Sequence, residues 1–256
     1  MSAVLPRPDV TIVTPTLNSA TTVLDTLESV RDQTCVSWEH IIVDGLSSDH
    51  TIPLVERARD SRVRVIAERD HGLYDAMNKG IRAANGDVIG VLNSDDVLAC
   101  RDVLQTVCDA FDHHGADVVY GDVELVNAND LSRVVRRWHA GVYRTGSFRV
   151  GWHPPHPGVY VKRSVYETFG LYDLRYRIAA DFELLLRFFE RYQLRVVYVP
   201  IVFTKMRIGG VSTGSLRNVI RGNLECMEAF RQNSMRVPVL YPALRLLPKL
   251  RQYITY

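Results

Sequence analysis

At 256 residues the chain has room for one large α/β domain, or for a domain of about 200 residues with an extension, and its element pattern favours the second. With 46% hydrophobic residues, 23% charged residues and a formal net charge of +2, it makes no general case for a nucleic-acid partner. Cys35, Cys100, Cys108 and Cys226 have no C-x-x-C spacing, so neither a zinc ribbon nor a disulfide framework is indicated. The N-terminal MSAVLPRPDV lacks the apolar stretch of a signal peptide, and no run of about 18 apolar residues is present. The expected location is the cytoplasm or the cytoplasmic face of a membrane.

In chain order, short β-branched runs alternate with amphipathic stretches, the pattern of a parallel sheet covered by helices. Strands are predicted at Val10 to Thr14, His40 to Asp44, Val63 to Ala67, Asp87 to Leu92 and Asp117 to Tyr120. Helices are predicted to start near Ala20, Asp49, Gly72 and Asp102, with Gly86 closing the third as a C-terminal glycine would. A hairpin follows, Val123 to Val126 and Ser132 to Arg137, and then a stiff loop, Trp152 to Pro157, with three prolines. A strand from Gly158 to Val161, a helix from Ser164, a helix from Asp181 to Arg191 and a strand from Arg195 to Val199 complete the sheet pattern. Beyond Gly209 only helical signals remain, chiefly from Leu216 to Gln232. The organisation expected is a sheet-bearing unit over 1–213, divided near 120, and a helical extension over 214–256.

In such a sheet, ligands bind outside the carboxyl edge of the strands. Polar residues collect there: Thr14, Pro15, Thr16 and Asn18 after the first strand, Asp44 and Gly45 after the second, Asp70 after the third, and Asn93, Ser94, Asp95 and Asp96 after the fourth. Two adjacent carboxylates repel each other, and Mg²⁺ or Mn²⁺, which takes one or two protein carboxylates plus diphosphate oxygens, would relieve them. A helix cap beside a solvated Asp explains the pair equally well. Asp44 could accept the ring N–H of uracil, thymine or guanine, or could simply be the turn residue before Gly45. Lys79 could reach a phosphate, although Asp75 lies one helical turn earlier and makes a surface ion pair the simpler account. Asp181 opens an apolar helix and on its own reads as a first-turn carboxylate. His153 and His156 are separated by two prolines and lack metal-site spacing, so zinc is rejected. No G-x-G-x-x-G follows the first strand and no Walker A motif occurs.

Four stretches, "VTIVTPTLNSA", "IIVDGLSSDHT", "ERDHGLYDAMNKGI" with "GDVIGVLNSDD", and "HPPHPGVYVKRSVYETFGLYDLRYRIAADFELLLR", together resemble the family 2 glycosyltransferases of GT-A fold over about Val10 to Thr213. The resemblance implies an α/β fold of GT-A type, with a mostly parallel central sheet flanked by helices, a small antiparallel hairpin and the C-terminal helical extension. It implies transfer of a sugar, hexosyl or deoxyhexosyl, from a UDP-, GDP- or dTDP-sugar to a carbohydrate or lipid-linked acceptor hydroxyl, with inversion. Thr14, Pro15, Thr16, Asn18, Asp44, Asp70, Asn78, Lys79, Asn93 and Ser94 would lie along the nucleotide. Asp95, with Asp96 beside it, would hold Mn²⁺ or Mg²⁺. Asp181 would be the base, and His156 and Trp152 would contact acceptor or donor sugar. Two departures stand out: Asn93 replaces the first Asp of the family's D-x-D motif, and Ala180 stands where some members carry Glu.

From Arg231 to Tyr256 there are five basic residues and no acidic one, interleaved with leucines and tyrosines. Such a segment suits a membrane interface, a homodimer contact or packing on the catalytic unit. The rival reading is a catalytically silent nucleotide-sugar-binding protein that regulates or scaffolds a partner. A nucleotidyltransferase would need a glycine-rich basic loop after the first strand, and "TPTLNSATT" provides none.

Overall fold

The computed structural model describes residues 8–34, 37–209, 216–237 and 241–244. Its order is β1 (Val10–Thr16), α1 (Val23–Arg31), β2 (Trp38–Asp44), α2 (Thr51–Ala58), β3 (Val63–Ala67), α3 (Leu73–Ala83), β4 (Val88–Val91), β5 (Val97–Leu98), α4 (Val103–His114), β6 (Val118–Asn127), β7 (Asp130–Trp138), β8 (Val159–Lys162), α5 (Arg163–Phe169), α6 (Ala180–Leu186), β9 (Val196–Arg207), α7 (Leu216–Gln232) and α8 (Tyr241–Leu244). Helix α6 runs on through one π-helical turn, Arg187–Arg191.

One sheet carries the strands in the order β3-β2-β1-β4-β8-β6-β9-β5, with β7 paired to β6. The expectation of a mostly parallel sheet needs correction. β1 is parallel to β2 and β4, β2 to β3, and β6 to β9, but the other four pairings are antiparallel. The reversal occurs at β8, which enters beside β4 with Gly90 opposite Tyr160. The start of β8 therefore lies at the carboxyl edge of β4, which brings the loop before it to the ligand edge.

Alternation along the strands feeds two cores. Ile41 and Val43 point to one face, with Tyr74, Phe182 and Phe230, and Ile42 points to the other, with Val23, Val55 and Leu104. Thus α1, α2 and α4 cover one side, and α3, α5, α6 and α7 the other. Pro15, which has no N–H to give, is accommodated because the β1–β4 pairing ends at Val13 opposite Val91. Gly80 lets α3 lie close on the sheet: a Cβ there would come within 2.2 Å of a Val13 methyl.

Several boundaries differ from those predicted. Gly86 does not close α3, which ends at Ala83. Its N–H is taken by Thr11 Oγ1 at 2.9 Å, and a Cβ would lie 2.6 Å from the Thr11 nitrogen, so glycine is there for close backbone approach. The runs Asp117 to Tyr120 and Val123 to Val126 join into the single strand β6, with irregular register around Gly121. Phe203 presses on that glycine, where a Cβ would be 2.7 Å from the ring. The last strand extends to Arg207 rather than stopping at Val199, since β6 continues beside it. The short β5 was not anticipated. Most of the basic segment Arg231 to Tyr256 lies outside the described residues. Among the described residues no helix is long and apolar enough to cross a membrane.

Candidate active site

The loops after β1 and β2 are tied into one rim. Thr16 Oγ1 donates to Asp44 Oδ2 at 3.0 Å, and Ser47 supplies its N–H (2.8 Å) and hydroxyl (2.6 Å) to the same carboxylate. Asn18, in the left-handed region at φ 51, accepts the Ser48 N–H through Oδ1 at 2.9 Å. Asp70 receives the Gly72 N–H on Oδ1 at 2.9 Å, while its Oδ2 stands over Gly45, where a Cβ would be 2.4 Å away. Asp44, Gly45 and Asp70 thus sit side by side at the ends of β2 and β3. Lys79 turns along α3: its Nζ donates to the Arg69 carbonyl at 2.5 Å and lies 3.2 Å from Glu68 and 3.5 Å from Asp75. Thr14 points into the sheet, where its hydroxyl is 2.8 Å from His40 Nε2.

Beyond β4 the turn Asn93 to Asp96 closes with the Asp96 N–H on the Asn93 carbonyl at 3.1 Å. Asp96 is fully buried and faces inward, accepting from Asn93 Nδ2 at 2.9 Å and from the Arg207 N–H at 3.2 Å. Burial, then the neighbouring charge of Asp95, raises its carboxyl to about 8. Asp95 is partly exposed, and burial raises its carboxyl too. Arg207 braces the turn through the Asp95 carbonyl and a salt bridge to Asp25. Ser94 and Ser19 hydroxyls lie 2.7 Å apart and join this turn to the loop after β1.

Asp181 stands at the second position of α6. Its Oδ1 accepts the Phe182 N–H at 2.8 Å and lies 3.3 Å from the Tyr74 hydroxyl, which also reaches the Ile178 carbonyl at 3.0 Å. Its Oδ2 makes no hydrogen bond among the described residues. Tyr74 belongs to α3, so the contact ties α6 to a helix of the first half of the chain. Burial and the charge of Asp181 raise its phenol well above 10, and it stays a donor. His156, in the short 3₁₀ turn His156–Gly158 that leads directly into β8, has Nε2 at 2.5 Å from the Tyr172 hydroxyl. Burial keeps its imidazole below the usual histidine range, although the Asp181 charge works against this. Tyr172 and Tyr74 stack with centroids 5.5 Å apart.

Two anticipated contacts are engaged within the protein. Asn78 is buried and pairs reciprocally with the Tyr172 backbone, giving Nδ2 to its carbonyl at 2.8 Å and receiving its N–H at 3.0 Å. Trp152 donates Nε1 to the Ala140 carbonyl at 2.6 Å and packs among Tyr143, Phe148 and Phe189.

The model of the family described as "Glycosyl transferase family 2" matches residues 11–168, more than half of the chain. The chain belongs to glycosyltransferase family 2. It is 34% identical over 211 residues to a PGL/p-HBAD biosynthesis glycosyltransferase of Mycobacterium bovis, covering 80% of this chain and 79% of that one. It is 39% identical over 126 residues to the succinoglycan biosynthesis protein ExoO of Rhizobium meliloti, over 49% of this chain and 36% of that one. Among solved structures, S. aureus TarS 1-349 in complex with UDP-GlcNAc superposes with a TM-score of 0.67 at 16% identity, over 91% of this chain and 66% of that chain. The mannosyltransferase PcManGT from Pyrobaculum calidifontis, in complex with GDP-Man and Mn²⁺, gives 0.62 at 21% identity, over 95% of this chain and 70% of that one. Likeness at these identities concerns the fold, and it agrees with the GT-A architecture expected from the sequence.

For this glycosyltransferase, sequence reasoning missed four residues that shape the cleft. Tyr74 and Tyr172 carry no spacing signal of their own, Arg207 lies more than a hundred residues from the turn it braces, and Glu225 sits on α7 beyond the family match. The one available signal was the tyrosine immediately before Asp75 in "HGLYDAMNKGI", which falls in the first turn of α3.

Proposed function

We propose that this glycosyltransferase transfers a sugar from a nucleotide-diphosphate donor to an acceptor hydroxyl with inversion, and that Asp181 is its general base. The observation that carries the reading is the Asp181 carboxylate. One oxygen is anchored by Phe182 and Tyr74, and the other, with no hydrogen bond among the described residues, is left to meet an incoming hydroxyl. A base so held spends little on orientation when the acceptor arrives. The acceptor oxygen forms its bond to the anomeric carbon as the bond from that carbon to the diphosphate oxygen breaks on the opposite face, and the hydroxyl proton passes to Asp181.

The GT-A resemblance implies a divalent cation. Among the described residues no group of three or more His, Cys, Asp or Glu side chains converges. A cation shared with a diphosphate needs only one or two protein oxygens, however. Asp95 offers a partly exposed carboxylate, and Asn93 Oδ1, in the same turn, is buried without a hydrogen-bond partner. These hard oxygens fit Mg²⁺ or Mn²⁺, whereas Asp96, held inward by Asn93 and Arg207, serves to shape the turn. Bound there, the cation would supply positive field to the departing diphosphate. The nucleoside would occupy the rim around Asp44, Gly45 and Asp70, where Gly45 admits the close approach of Asp70.

A lipid-linked acceptor is supported by the outer face of α7, which exposes Val219, Ile220 and Leu224, and by the basic segment that follows it. The test of the whole reading is a thermal-shift screen of UDP-, GDP- and dTDP-sugars with Mg²⁺ or Mn²⁺, followed by transfer with the stabilising donor. One class should stabilise the protein in a cation-dependent way and be turned over. Stabilisation without any turnover by the parent enzyme would favour the silent nucleotide-sugar-binding reading.

A further inference from the structure

Glu225 of α7 gathers three consecutive backbone N–H groups onto one carboxylate oxygen: Arg177 at 3.1 Å, Ile178 at 2.8 Å and Ala179 at 3.0 Å. These are the last residues before α6 begins at Ala180, and Asp181 is next. Ala179 is the N-cap of α6 and Arg177 and Ile178 precede it, so none of the three N–H groups has a partner within the helix. They must be satisfied from outside, and a carboxylate makes the strongest acceptor for them. The other oxygen of Glu225 accepts from Arg221 Nε at 2.8 Å, so the clamp is itself held along its own helix.

The same short segment faces the cleft through its other polar group. The Ile178 carbonyl receives the Tyr74 hydroxyl, which also touches Asp181. Ile178 is therefore gripped on both sides, with its N–H on Glu225 and its C=O on Tyr74. Further along, Asn233 Nδ2 donates to Glu183 at 3.0 Å, and Cys226, Ala229 and Phe230 are buried in the core that α6 shares. Burial works against ionisation of Glu225, but the three N–H groups and Arg221 outweigh it and hold its carboxyl below the usual range. The carboxylate is thus charged wherever the enzyme would work.

We propose that Glu225 is a positioning residue for Asp181: α7 acts as part of the catalytic unit by fixing the turn from which the base projects. The inference rests on the reading of Asp181 as the base. Its structural half, the clamp on residues 177–179, stands or falls separately.

The test combines amide exchange with kinetics on the full chain, comparing the parent with Glu225→Ala, Glu225→Gln and Asp181→Asn. Hydrogen–deuterium exchange should show the Arg177 to Ala179 amides protected in the parent and in Asp181→Asn. They should exchange about tenfold faster or more in Glu225→Ala, as expected when each loses a charge-assisted bond of about 1.5 to 3 kcal/mol. Glu225→Gln keeps an acceptor oxygen and should fall between. Hydrolysis of UDP-glucose, GDP-mannose or dTDP-glucose with Mn²⁺ is then followed. For whichever donor the parent turns over, kcat should fall about tenfold in Glu225→Ala, with KM within about twofold and partial recovery in Glu225→Gln. Unchanged exchange in Glu225→Ala would overturn the clamp. Faster exchange with unchanged kcat would overturn the positioning role, and so would equal losses in donor affinity and turnover. Should Glu225→Ala fail to fold, the same comparison is made with Glu225→Gln, where parent-like exchange and a kcat loss as deep as that of Asp181→Asn would contradict the inference. Full activity of Asp181→Asn beside an intact exchange pattern would reject the base and leave the clamp standing.

Discussion

His40 should make this fold sensitive to mild acid, by an amount the structure sets. The imidazole lies on β2 at 0% exposure, with Nε2 against the Thr14 hydroxyl and Nδ1 without a partner. Protonation would place a charge in the sheet and make both ring nitrogens donors, one of them with no acceptor. Burial accordingly depresses the imidazole from 6.5 to about 3, with only partial relief from Asp60. A depressed folded pKa means that between pH 6.5 and about 3 the unfolded chain binds a proton that the folded chain refuses. Stability from this group is complete above pH 6.5 and is lost as pH falls. From pH 7 to pH 5 the linkage amounts to about 2 kcal/mol, and over the whole interval to roughly 5 kcal/mol. Asp96 works in the opposite sense. Its raised carboxyl keeps a proton that the unfolded chain releases, so its contribution is present below pH 3.8 and is lost as pH rises to about 8. The two are separated by urea unfolding of the parent and of His40→Gln at pH 7, 6 and 5. The stability difference, parent minus variant, should shrink by about 2 kcal/mol across that range. Parallel pH profiles for the two proteins would refute the reasoning.

Three further outcomes follow from Asp95 and from α7. Asp95→Ala should abolish the gain in nucleotide affinity that Mn²⁺ confers on the parent, measured by calorimetry with and without the cation; a gain of the same size in the variant would remove Asp95 as its ligand. Because burial raises the Asp95 carboxyl, the parent's own Mn²⁺ effect should weaken as pH is lowered, earlier than for an exposed aspartate. Flotation with anionic liposomes should carry the full chain upward and should lose it on Ile220→Asp with Leu224→Asp, whereas equal behaviour of both proteins, bound or unbound, would discard the α7 face as a membrane contact.

Much of the first half of the fold was legible because its loops are short and local. Asp44 lies next to the glycine that admits Asp70, and the polar residues fall directly after apolar strands, so strand ends alone locate the rim. The second half was less legible for a topological reason. β8 and β9 enter the sheet out of sequence order, and periodicity says nothing about which strand a run will join. Gly86 illustrates the limit: a glycine after a helical run reads as a cap, yet its position is dictated by Thr11 on a strand 75 residues away. Asn78 illustrates another. The amide beside Lys79 suggested a ligand contact, whereas it ties α3 to the Tyr172 backbone, 94 residues further on. Long-range partners of this kind leave no spacing signature. Glu225 had none at all, being one of two acids on an amphipathic helix until the loop before α6 is seen folded against it.

The reading of the cleft turns most directly on Asp181→Asn. Its Oδ1 can still receive the Phe182 N–H and the Tyr74 hydroxyl, so the fold and the donor site should persist. A lost general base costs about 10² to 10⁴ in rate. Single-turnover transfer should therefore fall by roughly that factor while calorimetric donor affinity stays within about twofold of the parent. Transfer at near-parental rate by this variant would contradict the account at its centre.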